Sequence, residues 1–513
     1  MKKLFVLILG IALVTPAWAQ SQRRSAKSSG DRDLADALTL AKAGKYVEAS
    51  QRLFQLSYSP RYRDRRMQIK YILGMTLHQL KLNQVSAFQF IGVVKEGNNR
   101  YIKQSLERLS LAADALGDDT LLNYAISRVN VNEFPRAHRD MLHYRVGEYL
   151  MRNKQYGEAS RSFDRVDRGH SLYNSARYQQ GLALAEAGQT DRALTVFEEL
   201  IRARGNAPVT DKSKVAAMMG KARVLYQRKK WDESIEVYRS IPRDSEFWHD
   251  TLFEASWAML RSGRFRSALS NFQSLHSAFY EDFYLPESLL LRSIVYLYIC
   301  KYEEMDKVLN LFSRVYKPVS EQIDKILDNV NSADRYFTMI NDMMRIAKSD
   351  KDRKKMSLPM PYIVAQKITR EPDFQSAFQY IRKLIVERKR IERLPAAWQS
   401  ASVGQYSKKV LATRLAKAKQ KVGRIVRAHL LNIKEELIDL VEQEGFARYE
   451  MINGKKETLK KKIAGKELPK NTIDQNQQRD FYIQNGYEYW PFRGEYWLDE
   501  LGNYHYVGTQ SCN

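Results

Sequence analysis

The chain has 513 residues, enough for a large core or several domains, and a formal net charge of +25 with a mean hydropathy of −0.52. This composition excludes an integral membrane bundle and makes polyanions natural partners. It holds two cysteines, Cys300 and Cys512, which excludes a disulfide-dense miniature scaffold. At the N-terminus, Lys2 and Lys3 precede the apolar run 4–14, followed by Ala17-Trp18-Ala19. A charged lead, an apolar run too short to span a bilayer and an A-x-A site predict a cleaved signal peptide over 1–19. The expected compartment is the periplasm, with secretion from the cell as the alternative. Nucleic acid is absent there, so an anionic membrane surface, lipopolysaccharide phosphate or an acidic protein is the implied target of the positive charge.

Residues 20–33 are rich in Ser, Arg, Lys and Gly and read as a flexible leader. From 34 to 318 a pattern recurs. Gly147, Tyr156, Ala159, Phe163 and Val166 form one set, and Gly181, Ala193, Phe197 and Leu200 the next. Ala222, Trp231, Ser234, Tyr238 and Ile241 follow, then Ser256, Phe265, Ala268, Phe272 and Leu275, then Ser293, Tyr302, Met305, Leu309 and Phe312. A small residue on a first helix is followed twelve positions later by a small residue on a second helix, and then by large apolar residues four and seven further on. Small residues let two helices approach closely, and the i, i+4, i+7 series gives the second helix one buried stripe. Marking the second-helix residue in each unit gives Ala49, Ala87, Ala125, Ala159, Ala193, Ser234, Ala268 and Met305, about eight units with a recurring step of 34. Pro318 is expected to end the array.

This pattern resembles the tetratricopeptide repeat family across residues 34–318. The resemblance implies an all-α superhelix of stacked helix pairs, and a groove along the first helices that takes an extended or helical peptide. Carried over position by position, that groove comprises Tyr144, Glu148, Met151, Tyr178, Leu182, Met219, Arg223, Tyr226, Phe253, Trp257 and Leu260, a mostly apolar and aromatic lining. Leu290, Ile294 and Leu297 hold the same positions in the last unit and read as core.

Residues 319–470 read as a basic helical region: one helix over 319–348, two more near 373–393 and 406–444 separated by Pro395, and a Lys-rich loop or frayed helix over 454–470. Leu411, Leu415, Ala418, Val422 and Ile425 step by four and three. Around them stand Lys408, Lys409, Arg414, Lys417, Lys421, Arg424 and Arg427. Two readings stand side by side: a basic amphipathic helix lying on an anionic surface, or a solvated face on an ordinarily packed helix.

Residues 471–513 form an aromatic cap, with a small hairpin expected over 495–498 and 504–507. So many aromatics must pack on the chain or on a partner; one expectation is that this segment fills the groove, which a Cys300–Cys512 disulfide would suit, although the default reading of the spacing is two free thiols, since sequence does not show proximity. The run 487–502 resembles the endings of envelope tetratricopeptide proteins, including those of adventurous gliding motility complexes.

Chemistry is sparse. The chain lacks G-x-x-x-x-G-K-[ST], H-E-x-x-H and G-x-S-x-G. His138 and His143 lie five apart and do not share a helix face. Glu495 and Glu500 beside Tyr496 and Trp497 offer a glycan-cleft alternative, against turn residues beside packed aromatics. The sequence thus predicts a non-enzymatic scaffold without cofactor or metal, binding protein partners of the cell envelope. A peripheral binder of anionic membrane or lipopolysaccharide and a cell-wall enzyme or glycan binder are the alternatives.

Overall fold

How close two helices come is set by what lies between them, and here it is often a bare glycine. The computed structural model describes residues 29–97, 100–117, 120, 139–203, 211–346, 358–463, 496–497 and 499–504; these are helices joined by turns, with no strand among the described residues. The first helix pairs are α1 (Ser29–Lys42) with α2 (Tyr46–Tyr58) and α3 (Arg66–Gln79) with α4 (Asn83–Lys95), followed by α5 (Ile102–Leu116). The expected mate of α5, with Ala125, lies outside the described residues. The array continues with α6 (Arg139–Arg152) and α7 (Tyr156–Asp164), α8 (Tyr173–Glu186) and α9 (Thr190–Arg202), and α10 (Asp211–Gln227) and α11 (Trp231–Arg239). It closes with α12 (Trp248–Arg261) and α13 (Phe265–Leu275), and α14 (Pro286–Tyr298) and α15 (Tyr302–Asn329).

Within a pair, the first-helix small residue lies under the aromatic ring sixteen positions on. A methyl group on Gly74, Gly147 or Gly181 would sit 2.6 Å from the ring of Phe90, Phe163 or Phe197 respectively. This fixes the register of the second unit: twelve positions after Gly74 comes Ser86, fully buried, and not Ala87. Both residues are small and buried, so spacing alone could not separate them.

The turn inside each pair is also constant. Gly44, Lys81, Lys154, Gly188, Lys229, Gly263 and Cys300 all have positive φ. The next residue donates its N–H to the carbonyl five positions back, as in Gln189 to Leu184 (2.8 Å), Lys230 to Leu225 (3.0 Å) and Lys301 to Tyr296 (2.8 Å). This is the Schellman closure that satisfies the last carbonyls of the first helix.

Pro318 does not end a helix. It lies inside α15, which runs on to Asn329, and the break comes instead at Val330, which is extended. Ser332 then accepts a hydrogen bond from the Arg335 N–H (3.3 Å) and starts α16 (Ala333–Met343). The single helix expected over 319–348 is therefore two, because an N-capping serine outweighs the continuity of the apolar stripe.

The C-terminal helices are α17 (Tyr362–Arg370), α18 (Pro372–Glu392), α19 (Ala396–Ser400) and α20 (Ser402–Ile463). Helix α20 has 62 residues. It takes in 454–463, expected as a loop or frayed helix, so of those two the helix holds there; 464–470 lie outside the described residues. Near its start, Tyr406 packs on Phe54 of α2 with ring centroids 5.2 Å apart. At mid-length Gly423 lies against the backbone of Ala333, with no room for a side chain. Near its end, a methyl on Gly454 would meet the ring of Tyr302 at 2.6 Å. The span from Tyr406 to Gly454 is about 72 Å at 1.5 Å per residue. One helix therefore ties the first repeat to the last, and one apolar core runs from Leu34 and Leu53 through Leu384, Trp398 and Val422 to Phe312.

Polar contacts lock the same junction. Trp398, fully buried, donates its indole N–H to Ser50 Oγ (2.8 Å). Glu387 reaches from α18 to the N-terminus of α4, where its carboxylate accepts the N–H groups of Gln84 (2.9 Å) and Val85 (3.2 Å). Tyr380 donates to Gln84 Oε1 (2.5 Å). Glu387 thus serves as an N-cap supplied by a distant helix.

Two predictions follow from these features. Lys229→Gly should raise stability by about 1 kcal/mol, and Gly263→Ala should lower it by a similar amount, because an L-residue is strained at positive φ; thermal unfolding followed by circular dichroism reads both. Burial pushes the Glu387 carboxyl up to about 7, against the opposing pull of the α4 N–H groups and Arg390. Its folded pKa lies above its unfolded one, so its contribution is greatest below about 4.5 and is lost as pH rises through about 7. Glu387→Gln keeps an acceptor and should remove that part of the fall in melting temperature between pH 5 and pH 8, whereas Glu387→Ala should cost about 1–3 kcal/mol by orphaning the N–H groups.

Candidate peptide-binding groove

The first helices α10 and α12 lie side by side and are joined by charge. Arg223 meets Glu254 with two parallel bonds, Nε to Oε2 at 2.8 Å and an end nitrogen to Oε1 at 2.6 Å. Tyr238, from the second helix α11, donates its hydroxyl to Glu254 Oε2 (2.8 Å). The carboxylate thus accepts three bonds and holds two repeats in register. Burial, with Glu254 adding to it, raises the Tyr238 phenol, and the same carboxylate raises Arg223.

Beside this cluster lies a cavity of about 390 Å³, lined by Arg223, Tyr226, Tyr238, Glu254, Trp257 and Arg261. Tyr226 stands edge-on to Trp231 at 4.8 Å, which fixes its ring. The Arg261 guanidinium lies 5.9 Å from the centre of the Trp257 ring. The walls are aromatic, the rim carries two guanidinium groups, and one of these is engaged by Glu254. Such a cavity suits an apolar or aromatic side chain whose flanking carbonyls or carboxylate reach Arg261.

Of the predicted groove residues, Arg223, Tyr226 and Trp257 meet here. Phe253 and Leu260 are half-buried beside them on α12. Met219 is a correction: it is 3% exposed and belongs to the core, because α10 turns that position toward its neighbours. Tyr144 and Tyr178 are half-buried, with rings 5.7 Å from Phe163 and 6.1 Å from Phe197. Glu148 pairs with Arg145 (2.9 Å). Leu182 on α8 and Met151 on α6 are half-buried.

Sequence reasoning missed Glu254, Tyr238 and Arg261. The available signal was the position two before each first-helix small residue. Arg145 there pairs with Asp114, thirty-one positions earlier, and Glu254 pairs with Arg223 across the same interval.

The described part of the aromatic tail packs elsewhere. Of the expected hairpin, only Tyr496, Trp497 and Tyr504 are described, and Asp499–Asn503 form a turn. Leu501 is buried, the Gly502 N–H donates to Ser274 Oγ (2.7 Å), and Gln273 donates to the Tyr496 hydroxyl (3.1 Å). Arg243 bonds Asn503 Oδ1 and the Asp499 carbonyl. Gln273 and Ser274 belong to second helix α13, and a methyl on Gly502 would meet Trp248 of first helix α12 at 2.8 Å, so the described tail packs on both helices of this pair, and none of the predicted groove residues is among these contacts. Cys300 is disulfide-bonded; Cys512 lies outside the described residues.

Of the two readings of the basic stretch of α20, the apolar stripe follows the second, a helix packed on the chain. Leu411, Ala418 and Val422 are buried and Leu415 and Ile425 half-buried against the chain itself, so this stripe is not available to enter a membrane. Lys408, Lys409, Lys417, Lys421, Arg424 and Arg427 are exposed, and Arg414 lies 4.7 Å from the Phe88 ring centre. His143 lines a separate polar cavity with Asp140 and Arg177, where burial and then Arg165 lower its pKa. His138 and Glu495 lie outside the described residues, and no cluster of metal-ligating side chains occurs among the described ones.

Residues 144–208 and 178–246 match the tetratricopeptide repeat family. These residues carry tetratricopeptide repeats. The matched span contains Arg223, Tyr226 and Tyr238, and the next helix pair, beyond it, contributes Glu254, Trp257 and Arg261. No curated protein matches the chain.

A double-mutant cycle of Arg223→Ala and Glu254→Ala, read in thermal unfolding, should give a coupling of about 1 kcal/mol, since the pair is bidentate but its arginine is half-exposed.

Proposed function

We propose that this protein is a protein–protein interaction scaffold of the bacterial cell envelope, working in the periplasm by binding and not by catalysis. The observation that carries this reading is the aromatic cavity between α10 and α12, braced by Arg223, Glu254 and Tyr238. Tetratricopeptide repeats are suited to hold peptide segments, and this lining favours one with an apolar or aromatic anchor. Lys2, Lys3, the apolar run 4–14 and Ala17-Trp18-Ala19 support export. The ending 487–502 supports a place in an envelope machine, with gliding motility as the proposed setting.

No helix among the described residues is long and apolar enough to cross a membrane. The exposed row Lys408, Lys409, Lys417, Arg424 and Arg427 favours a second, purely electrostatic contact with an anionic membrane or lipopolysaccharide surface. Flotation with anionic vesicles that persists in high salt would contradict that contact, which is expected to weaken as salt rises.

The groove is tested by affinity capture from envelope extract with the full chain and with Trp257→Ala. A partner retained by the unaltered chain should bind the variant about 10- to 100-fold more weakly at an unchanged melting temperature. Equal retention would remove the cavity from the binding surface, and turnover of a muropeptide by the pure protein would overturn the non-enzymatic reading.

A further inference from the structure

The exposed face of α20 changes character beyond Glu435. Its body-facing side, with Leu437, Leu440, Ala447 and Met451, is buried in the main core. The opposite side carries Ile438 (52% exposed), Phe446 (63%), Tyr449 (62%), Ile452 (60%) and Leu459 (57%). Positions 438, 442, 445, 449, 452, 456 and 459 step by four and three, the seam of a coiled coil. Four of the large apolar groups, Ile438, Tyr449, Ile452 and Leu459, lie on this outward stripe and Phe446 flanks it beside Gly445, more than the scatter expected of a solvated face.

The charges along the stripe name its occupant. Glu442 lies seven residues before Tyr449 and Lys456 seven after it. Outside them, Glu435 and Asp439 precede the stripe's centre, and Lys460 and Lys461 follow it. A parallel mate would set Glu442 against Glu442. An antiparallel copy crossing at Tyr449 sets Glu442 of each chain opposite Lys456 of the other, Tyr449 against Tyr449, and Phe446 against Ile452. The two bodies then lie on opposite sides of the helix pair, because the stripe faces away from the core that α20 covers. We propose that α20 pairs with the same helix of a second copy of this chain, antiparallel about Tyr449, making the scaffold an isologous dimer.

Sedimentation velocity of the full chain over a range of concentrations tests this. The unaltered chain should dimerise, and Tyr449→Lys should be monomeric with an unchanged circular dichroism spectrum. Glu442→Lys and Lys456→Glu should each weaken dimerisation about tenfold or more, through like charges in the seam. Mixing these two variants should restore it, since the mixed pair again matches opposite charges at both sites. A monomeric unaltered chain would overturn the proposal, leaving the stripe to residues 464–495 or to another protein. A dimer indifferent to Tyr449→Lys, or variants that fail to rescue one another on mixing, would overturn it too.

Discussion

A phenylalanine ring resting on a glycine sets the distance between helices in this protein, and the array inherits its geometry from that contact. Phe197 shows the constraint at its tightest: a methyl group on Gly181 within its own pair, or on Gly220 of the next, would fall 2.6–2.7 Å from the ring. The same ring therefore sets both the pair and the stacking of pairs. Interiors packed this closely have no slack to absorb an added methylene. The Arg223–Glu254 brace and the aromatic cavity beside it form where they do because adjacent first helices have no freedom to slide.

Stacked repeats normally hold only their nearest neighbours. The middle of this chain follows that rule, with separate clusters around Phe90, Phe163 and Phe197. The two ends do not. Glu387, Trp398 and Tyr406 fasten the C-terminal helices to the first two repeats. At the other end Arg448 bonds Asn310 (3.0 Å) and pairs with Asp306, while Ser313 donates to Glu444 Oε1 (3.2 Å), all joining α20 to the last repeat. At the first junction the partners lie 303 and 348 residues apart in sequence, and at the last 131 to 142.

The repeat array was legible in the sequence because its signal is local: small and large residues recur at fixed intervals, and Gly147 to Phe163 needs no knowledge of anything distant. The turns were less legible, since Lys81, Lys154, Lys229 and Cys300 occupy a conformation that glycine would advertise. Pro318 misled because proline is tolerated where the surrounding helix is packed on both sides. The groove was half legible. Arg223, Tyr226 and Trp257 came from register alone, but Met219 did not, since a register that places a residue on a helix face does not say whether a neighbour covers that face. Glu387 and Trp398 could not be read at all, because their partners, Gln84 and Ser50, are defined only once the chain has closed on itself.

That closure bears on how a ligand would enter. An open superhelix can stretch like a spring and widen its inner surface to suit what it meets. Here one continuous helix, about 72 Å between its two fastenings, holds the first and last repeats at a set separation before any peptide arrives. Selectivity then falls on the shape of the guest instead of on the compliance of the host, and little ordering remains to be done on capture.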